Sequence, residues 1–226
     1  GYRNMIGRHE VATITDTYMK GFRDFDIEKA YEAMKRNSKE ATMLSRHIGK
    51  DWRLNELDKV YLEKGFYPAK PSDQPEWVKE VGFGRQSVAL TLENCYDDWC
   101  MSILAKELGK EDDYQYYLNR AYNYRNVFDS KSGFMRPKTA DGKWIEPFDP
   151  IWSGGQGGRD FYTENNGWNY TWYVLHDPQG LINLMGGQEP FVAKLQQMFE
   201  TNVPLYKKYD FLKQYPDMTG WIGMYS

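Results

Sequence analysis

The longest amphipathic segment of the chain, residues 85–108, constrains the fold more than any other stretch. Its apolar residues recur at steps of three and four, which is the repeat of an α-helix with one buried face. These positions are Val88, Leu92, Cys95, Trp99, Ile103 and Leu104. After Gly109 and Lys110, a second helical pattern covers residues 111–127. Because so short a link joins the two segments, we predict that they fold back on each other as a helical hairpin.

Four more segments carry the same periodicity, and two of them also carry signals for their ends. The segments predicted to be helical are residues 6–22, 27–39, 54–64 and 189–202. Asp26 stands where an acidic residue caps the first turn of a helix, and Gly65 stands where a glycine ends one. The sequence therefore predicts an all-α chain built from helical pairs.

The segments between these helices have very unequal lengths. Residues 65–83 contain three prolines and are predicted to form an extended connector. Residues 134–144 surround Asp141-Gly142, a strong two-residue turn signal, and are predicted to form a small β-hairpin. Residues 147–159 are rich in glycine and are predicted to be a long functional loop.

Helical pairs with short loops at one end and long loops at the other are typical of an α/α toroid, with its site among the long loops. A plain helical bundle and a superhelical repeat array are the alternatives. A repeat array is disfavoured because the sequence shows no fixed period of about 30–50 residues.

Charge and cysteine usage exclude several classes of protein. The net charge of -3 indicates neither a nucleic-acid-binding surface nor a polybasic membrane surface. The apolar runs are far shorter than a membrane span, and no signal peptide is visible. Cys95 and Cys100 would lie about 140° apart around one helix, so a disulfide between them is not expected. The three histidines and two cysteines show no zinc-finger spacing.

The most unusual stretch is residues 161–187, where one acid stands among amides and aromatic rings. Glu164 is followed by two asparagines and a glycine, and then by Trp168 and Tyr170. Sugars stack their C–H faces on flat rings and bond their hydroxyl groups to short polar side chains, so this composition suits a carbohydrate site. The alternative is an aromatic-rich helix start in which Glu164 pairs with an arginine.

A series of short motifs lies along the chain at residues 5–9, 16–21, 96–99, 133–136, 147–150, 162–164, 168, 172, 176–177, 180–182 and 184–187. Together these motifs resemble the catalytic domain of glycoside hydrolase family 92. Their order and rough spacing agree over essentially the whole chain, although no single motif would suffice. The members of this family are calcium-dependent, inverting, exo-acting α-mannosidases common in gut Bacteroidetes.

The resemblance implies a fold, a domain organisation and a limit on what this chain can do. It implies that residues 1–226 are the central part of one (α/α)6 catalytic domain, with no separate second domain and with both ends inside the family's fold. A β-sandwich domain would precede it in the complete enzyme. The family's mannose-holding Trp-Asp motif is expected upstream, and its general-base aspartates downstream. We therefore expect the full-length parent to be a glycosidase and this chain alone to be inactive.

The resemblance also assigns site residues. Glu164 matches the general acid of the family's Glu-Gly-Asn-Ala-Trp-Gln-Tyr-like motif, whereas Asn165, Gly167 and Asn169 depart from that pattern. The departures put the local contacts to sugar or metal in doubt. The residues predicted to bind substrate are Arg8, His9, Asn166 and Trp168. For Arg8 the alternative is a salt bridge to a nearby acid, either Glu10 or Asp16.

Two further pairs are interpreted as structural. Of Asp97 and Asp98, one is expected to be solvated and the other to form a salt bridge. His176 and Asp177 are expected to shape their loop without touching sugar.

The family further implies calcium as a cofactor, with ligands that cannot be assigned from this stretch and are expected outside it. It implies mannose-containing glycans as partners and a periplasmic, cell-surface or secreted location in a bacterium. Two other classes remain open. One is a different α/α-toroid enzyme such as a polysaccharide lyase, which the motif order disfavours. The other is a non-catalytic glycan-binding module, which would keep the aromatic residues without needing an acid.

Overall fold

The computed structural model describes residues 6–42, 53–78, 83–151, 161–163 and 165–201. This part of the chain is mostly helical, as predicted, with two small antiparallel strand pairs. The helices are α1 (Glu10–Met19), α2 (Ile27–Glu40), α3 (Glu56–Lys64), α4 (Ser87–Glu107), α5 (Glu111–Ala121), α6 (Gly167–Tyr170), α7 (Pro178–Leu184) and α8 (Gln188–Glu200). The strands are β1 (Trp77–Val78), β2 (Phe83–Gly84), β3 (Phe128–Asp129) and β4 (Phe134–Met135).

Helix α4 runs through both main hydrophobic cores. Its first half contributes Val88, Leu92 and Cys95 to one core, where they pack with side chains of α3, β4 and the segment around α6. Its second half contributes Met101 and Leu104 to a second core shared with α1, α2 and α5. The predicted apolar stripe on one face is therefore too narrow, because most residues of α4 are buried, including those outside that stripe.

The helix ends follow from local chemistry. The Asp26 side chain accepts a hydrogen bond from Lys29 N and caps α2, as predicted. Asn55 and Asp58 form a reciprocal capping box at the start of α3, and Gly65 ends this helix with φ of 74°. Helix α1 begins later than predicted, at Glu10, because Gly7 has φ of 85° and turns the backbone ahead of it. The predicted helix over 111–127 tightens at Tyr122 into a 3-10 helix, Tyr122–Val127.

The strand pairs correct two predictions. One hairpin, β3–β4, pairs Phe128 with Met135 around a turn at residues 130–133. The Asp129 side chain accepts bonds from Lys131 N and the Ser132 hydroxyl, which builds the turn locally. The predicted turn at 141–142 exists, but its flanks form only a single bridge.

The prediction that residues 65–83 form only an extended connector was wrong in part, since strand β1 lies within them and pairs with β2. No helix of the described residues combines the length and the apolar character that crossing a membrane requires.

Candidate functional site

The first turn of α4 holds the segment that leads to Glu164. Val88 N and Ala89 N both donate to Phe161 O, at 3.0 and 3.1 Å. These N–H groups have no partner within their own helix, so the incoming carbonyl satisfies them. Thr163 donates its hydroxyl to Gln86 Oε1 at 2.6 Å. Glu164 itself lies outside the described residues, and its predicted role as general acid stays a prediction.

The residues after Glu164 are fixed by asparagine side chains. Asn166 Oδ1 accepts from Trp168 N at 3.0 Å and from Asn169 N at 3.3 Å, which caps the single turn of α6. Asn165 Oδ1 accepts from Asn169 Nδ2 at 2.6 Å. Both Asn165 and Asn169 depart from the family motif, and the structure brings them together. Asn166, predicted to bind substrate, thus has a defined structural role, and its contact to sugar stays a prediction.

The aromatic rings of this stretch are largely buried. Tyr162 is 1% exposed and donates its hydroxyl to Met135 O at 2.7 Å. Trp168 is 5% exposed and meets the Phe134 ring edge-on at 4.7 Å between centroids. Lys194 Nζ lies 3.4 Å from the centre of the Phe134 ring and 4.8 Å from that of Trp168, and burial lowers the pKa of this lysine to about 8. Trp168 is therefore held mainly by protein, and its predicted contact to substrate stays a prediction.

Arg8 lies at the centre of a buried charge cluster. Its side chain is fully buried, and Nη2 donates to Asp98 Oδ1 at 3.1 Å and to Asn94 Oδ1 at 3.3 Å. Asp98 Oδ2 also accepts from Arg120 Nε at 2.8 Å. The alternative predicted for Arg8, a salt bridge, is present, but its partner is Asp98 of α4 and not Glu10 or Asp16. Among the described residues, the Arg8 Nε and Nη1 groups have no acceptor.

The interpretation of the aspartate pair is corrected as well. Asp97 and Asp98 are both fully buried, so neither is solvated. A buried carboxylate needs charged or polar partners, and distant segments supply them to both. Asp97 accepts from Arg8 N at 2.6 Å and lies 3.4 Å from His9 Nδ1.

His9 is the exposed member of this cluster. Its side chain is 48% exposed, and Nε2 lies 3.1 Å from Glu93 Oε2. Hydrogen bonds to Asp97 and to Glu93 raise the pKa of His9 to about 10, so the ring is a cation at neutral pH. Glu93 also accepts from the Tyr173 hydroxyl at 2.8 Å. With both ring nitrogens facing carboxylates, the imidazolium has a fixed orientation at the surface. Its predicted contact to substrate stays a prediction.

The α4 residues that contact Thr163 and those that contact His9 lie along one face of this helix. Gln86, Glu93 and Asp97 are separated by seven and then four residues, so they recur near the same angle around the helix axis. Tyr173 follows α6 in the chain and donates its hydroxyl hydrogen to Glu93. This bond links the stretch of chain that carries Glu164, here called the acid-bearing segment, to the Arg8 cluster. The sequence analysis missed Gln86, Glu93 and Tyr173. The i, i+4 pair of Glu93 and Asp97 within an apolar helix was the available signal.

His176 and Asp177 agree with their structural interpretation. His176 Nε2 lies 2.8 Å from Ala121 O, and burial lowers the pKa of this histidine. Asp177 Oδ1 accepts from Gly180 N and caps α7, while Oδ2 accepts from the Tyr124 hydroxyl at 2.6 Å. The pair therefore ties the loop after α6 to the end of α5.

The described residues do not fit a calcium site. Nowhere among them do three histidine, cysteine, aspartate or glutamate side chains form a group that could hold one ion. The carboxylates of Glu93 and Asp97 both face the imidazolium of His9.

Comparison with known proteins finds a family whose members are similar to this chain over nearly its whole length. The model of the glycosyl hydrolase family 92 catalytic domain matches residues 2–225. A curated relative, an uncharacterized secreted glycosidase of Arthroderma benhamiae, is 29% identical over 222 residues, which is 87% of this chain and 27% of the relative.

Two solved structures from Bacteroides thetaiotaomicron share this fold. A family GH92 α-mannosidase in complex with mannoimidazole is 36% identical, with a TM-score of 0.71, over 88% of this chain and 23% of its own. A family GH92 inverting mannosidase is also 36% identical, with a TM-score of 0.70, over 95% of this chain and 26% of its own. The chain thus spans about a quarter of the length of these relatives.

Proposed function

Since the chain belongs to glycosyl hydrolase family 92, we propose that its full-length parent is an exo-acting α-mannosidase with Glu164 as general acid. The parent would release mannose from α-mannosides, N-glycans among them, with inversion at the anomeric carbon. The observation that carries the proposal is the family match over residues 2–225, together with two mannosidases that are 36% identical. The described helices would form part of an (α/α)6 toroid, and a β-sandwich domain would precede it.

The described residues on either side of Glu164 in the sequence support its proposed role as the acid. A general acid must stay protonated near the working pH, and burial among apolar groups raises the pKa of a carboxyl group. Tyr162, Trp168 and Tyr170 belong to the same segment and are all buried. Thr163 and Asn165, on either side of the acid, are fixed by hydrogen bonds.

Inversion needs a second carboxylate. In an inverting glycosidase the two carboxyl groups stand about 6.5–9.5 Å apart, which leaves room for the attacking water. We assign this base to a part of the parent protein outside the present chain. Calcium would bind sugar hydroxyl groups, and its ligands would also come from outside the described residues, so no step is derived through it.

The substrate-binding roles follow from position and available donors. His9 is the half-exposed residue at the edge of the Arg8 cluster and would face the sugar. The Nε and Nη1 atoms of the Arg8 guanidinium group have no acceptor among the described residues, and their N–H groups could bond a sugar hydroxyl group. Asn166 and Trp168 follow the acid by two and four residues in the sequence and are proposed to line the same pocket. Secretion is proposed because the curated relative is a secreted glycosidase.

Substitution of Glu164 by glutamine tests the assignment of the acid. In the full-length parent, Glu164→Gln keeps the shape and removes the proton donor. The kcat on mannosides with poor leaving groups should fall by about 10²–10⁴-fold. Aryl mannosides with a very acidic phenol leave without protonation and should lose far less. The alkaline limb of the pH profile should also disappear. An equal fall on both substrates would exclude the role of proton donor.

The wider proposal has its own tests. The parent should release free mannose from a panel of α-mannosides, and chromatography measures this release. The release should stop after chelation with EDTA. Activity that survives thorough chelation would refute the calcium requirement. Glycan binding without any release of mannose would favour a binding module, and an unsaturated product would favour a lyase.

A further inference from the structure

We propose that Gln86 is a positioning residue for the acid-bearing segment, acting through Thr163. The inference rests on the proposed role of Glu164. Thr163 immediately precedes Glu164, and the Gln86 side chain accepts its hydroxyl hydrogen at 2.6 Å. Gln86 is 6% exposed, so water competes little for this bond.

The backbone of Gln86 is strained. It has φ of 55° and ψ of 43°, and it is the one non-glycine residue with positive φ in the described part of the chain. Side chains other than asparagine and aspartate seldom adopt this conformation. Such strain persists where the surroundings fix the residue, and it concentrates at functional sites. The strained residue and its bond to Thr163 are thus two separate features of the same position.

The side chain of Gln86 does not serve its own helix. Gln86 is the N-cap residue of α4, and side chains at this position commonly accept from the first N–H groups of the helix. Gln86 makes no such bond. Instead, Phe161 O accepts from Val88 N and Ala89 N. The incoming segment thus takes over the capping, and Gln86 binds that same segment two residues further on.

Both sides of Glu164 are anchored in this way. Thr163 is held by Gln86 through its hydroxyl, and its carbonyl accepts from the Tyr170 hydroxyl at 3.2 Å. On the other side, Asn165 is held by Asn169 at 2.6 Å. The glycine that the family pattern has at position 165 carries no side chain and could not make that bond. The two departures from the pattern therefore support each other, and Gln86 supplies the matching anchor on the other side.

The test uses the full-length parent with Gln86→Asn. Asparagine accepts positive φ readily but is one methylene shorter, so the backbone is kept and the bond to Thr163 is lost. A small displacement of a catalytic group can cost about 10²-fold, so we expect kcat on poor-leaving-group mannosides to fall by about 10–10²-fold. Activated aryl mannosides should lose much less, and KM and Tm should change little. Gln86→Glu, which keeps an acceptor, should restore most of the rate.

A second variant makes the test independent of how well Gln86→Asn folds. Thr163→Val removes the donor of the same bond and should give the same selective loss in kcat. Because both changes break one interaction, the double variant should lose no more than either single variant. The matched control is Gln115→Asn on α5, where an exposed glutamine donates to Glu111 within the same helix.

Each outcome decides the question. Unchanged kcat in Thr163→Val, equal losses on both substrate types, or full additivity in the double variant overturns the positioning role. A parent that hydrolyses no mannoside, or that is indifferent to Glu164→Gln, overturns the proposed function and this inference together. An active parent that depends on Glu164 but not on Gln86 overturns this inference alone.

Discussion

Asp98 accepts hydrogen bonds from side chains that come from three distant parts of the chain. Arg8 and Arg120 bind its two carboxylate oxygens, and the Tyr61 hydroxyl lies 3.3 Å from Oδ2. A buried charge with one partner removed is costly, because the remaining charge has lost both its hydration and its counter-ion. The cluster therefore ties the segment before α1 and the end of α5 to the middle of α4.

We expect Asp98→Asn to lower the free energy of unfolding by about 3–5 kcal/mol, since it leaves the buried Arg8 and the mostly buried Arg120 around a neutral amide. Denaturant unfolding of the full-length protein measures this change. Asp16→Asn is the matched control, because Asp16 forms an exposed pair with Lys20 on α1 and such pairs contribute little. Equal midpoints for the two variants would contradict a stabilising role of the cluster.

His9 makes stability depend on pH in a direction that can be worked out. Its folded-state pKa, about 10, lies above its ordinary value of about 6.5. Its contribution to stability is therefore fully present below pH 6.5 and is lost as pH rises towards 10. The difference in Tm between the wild-type protein and His9→Gln should be largest near pH 6 and vanish near pH 10. Partial exposure of the ring will reduce its size.

His176 provides a control of opposite sign for the same experiment. Burial lowers its pKa, so its contribution to stability should be lost as pH falls below the ordinary value. A Tm difference for His9→Gln that does not change with pH would show that its carboxylate contacts do not form in solution.

At the scale of the element, glycines with positive φ end two of the predicted helices. Gly65 has φ of 74° after α3, and Gly109 has φ of 69° between α4 and α5. A Cβ atom added at Gly109 meets nothing within 4 Å, whereas one at Gly65 lies 2.5 Å from Asn123 Oδ1 and 2.6 Å from Asn126 Nδ2. The two sites share a backbone conformation and differ in their surroundings.

We therefore expect Gly109→Ala to lower the free energy of unfolding by about 1–2 kcal/mol, which is the cost of the left-handed backbone alone. Gly65→Ala should cost more, because the two asparagines must move and Asn126 also donates to Gly65 O. Urea unfolding of both variants of the full-length protein compares the two costs. A smaller effect at Gly65 than at Gly109 would mean that the asparagines move freely.

At the scale of the whole molecule, α4 contacts the acid-bearing segment, His9 and Arg8, which all have a part in the proposed function. Gln86 at its start binds the acid-bearing segment, Glu93 and Asp97 hold His9, and Asp98 holds Arg8. Because most residues of this helix are buried, it can keep these groups at fixed distances from one another. The second carboxylate that inversion requires is proposed to come from outside this chain.

The chain by itself should therefore show no hydrolysis, since it spans about a quarter of the length of its relatives. An activated aryl α-mannoside is the most sensitive substrate for this measurement. The purified 226-residue chain should leave it intact at concentrations at which the full-length parent turns it over. Turnover by the isolated chain would place the general base within these residues.

The sequence by itself determined the helices and most of their ends. The periodicity of α4, the cap at Asp26 and the stop at Gly65 are local properties, because they depend on residues within a turn or two of each other. The short helices α6 and α7 were missed although Asn166 and Asp177 cap them, since a few residues carry too little periodicity to detect.

Only the tertiary structure decided the partners of the site residues. Arg8 and Asp98 are 90 positions apart, and Gln86 and Thr163 are 77 apart. Periodicity shows that a position is buried but not which side chain meets it, so Arg8 was paired with its sequence neighbours and one aspartate was left in solvent. The pairing of Phe128 with Met135 was missed for a different reason, because the turn between them is built by the Asp129 side chain and carries no Asp-Gly signal.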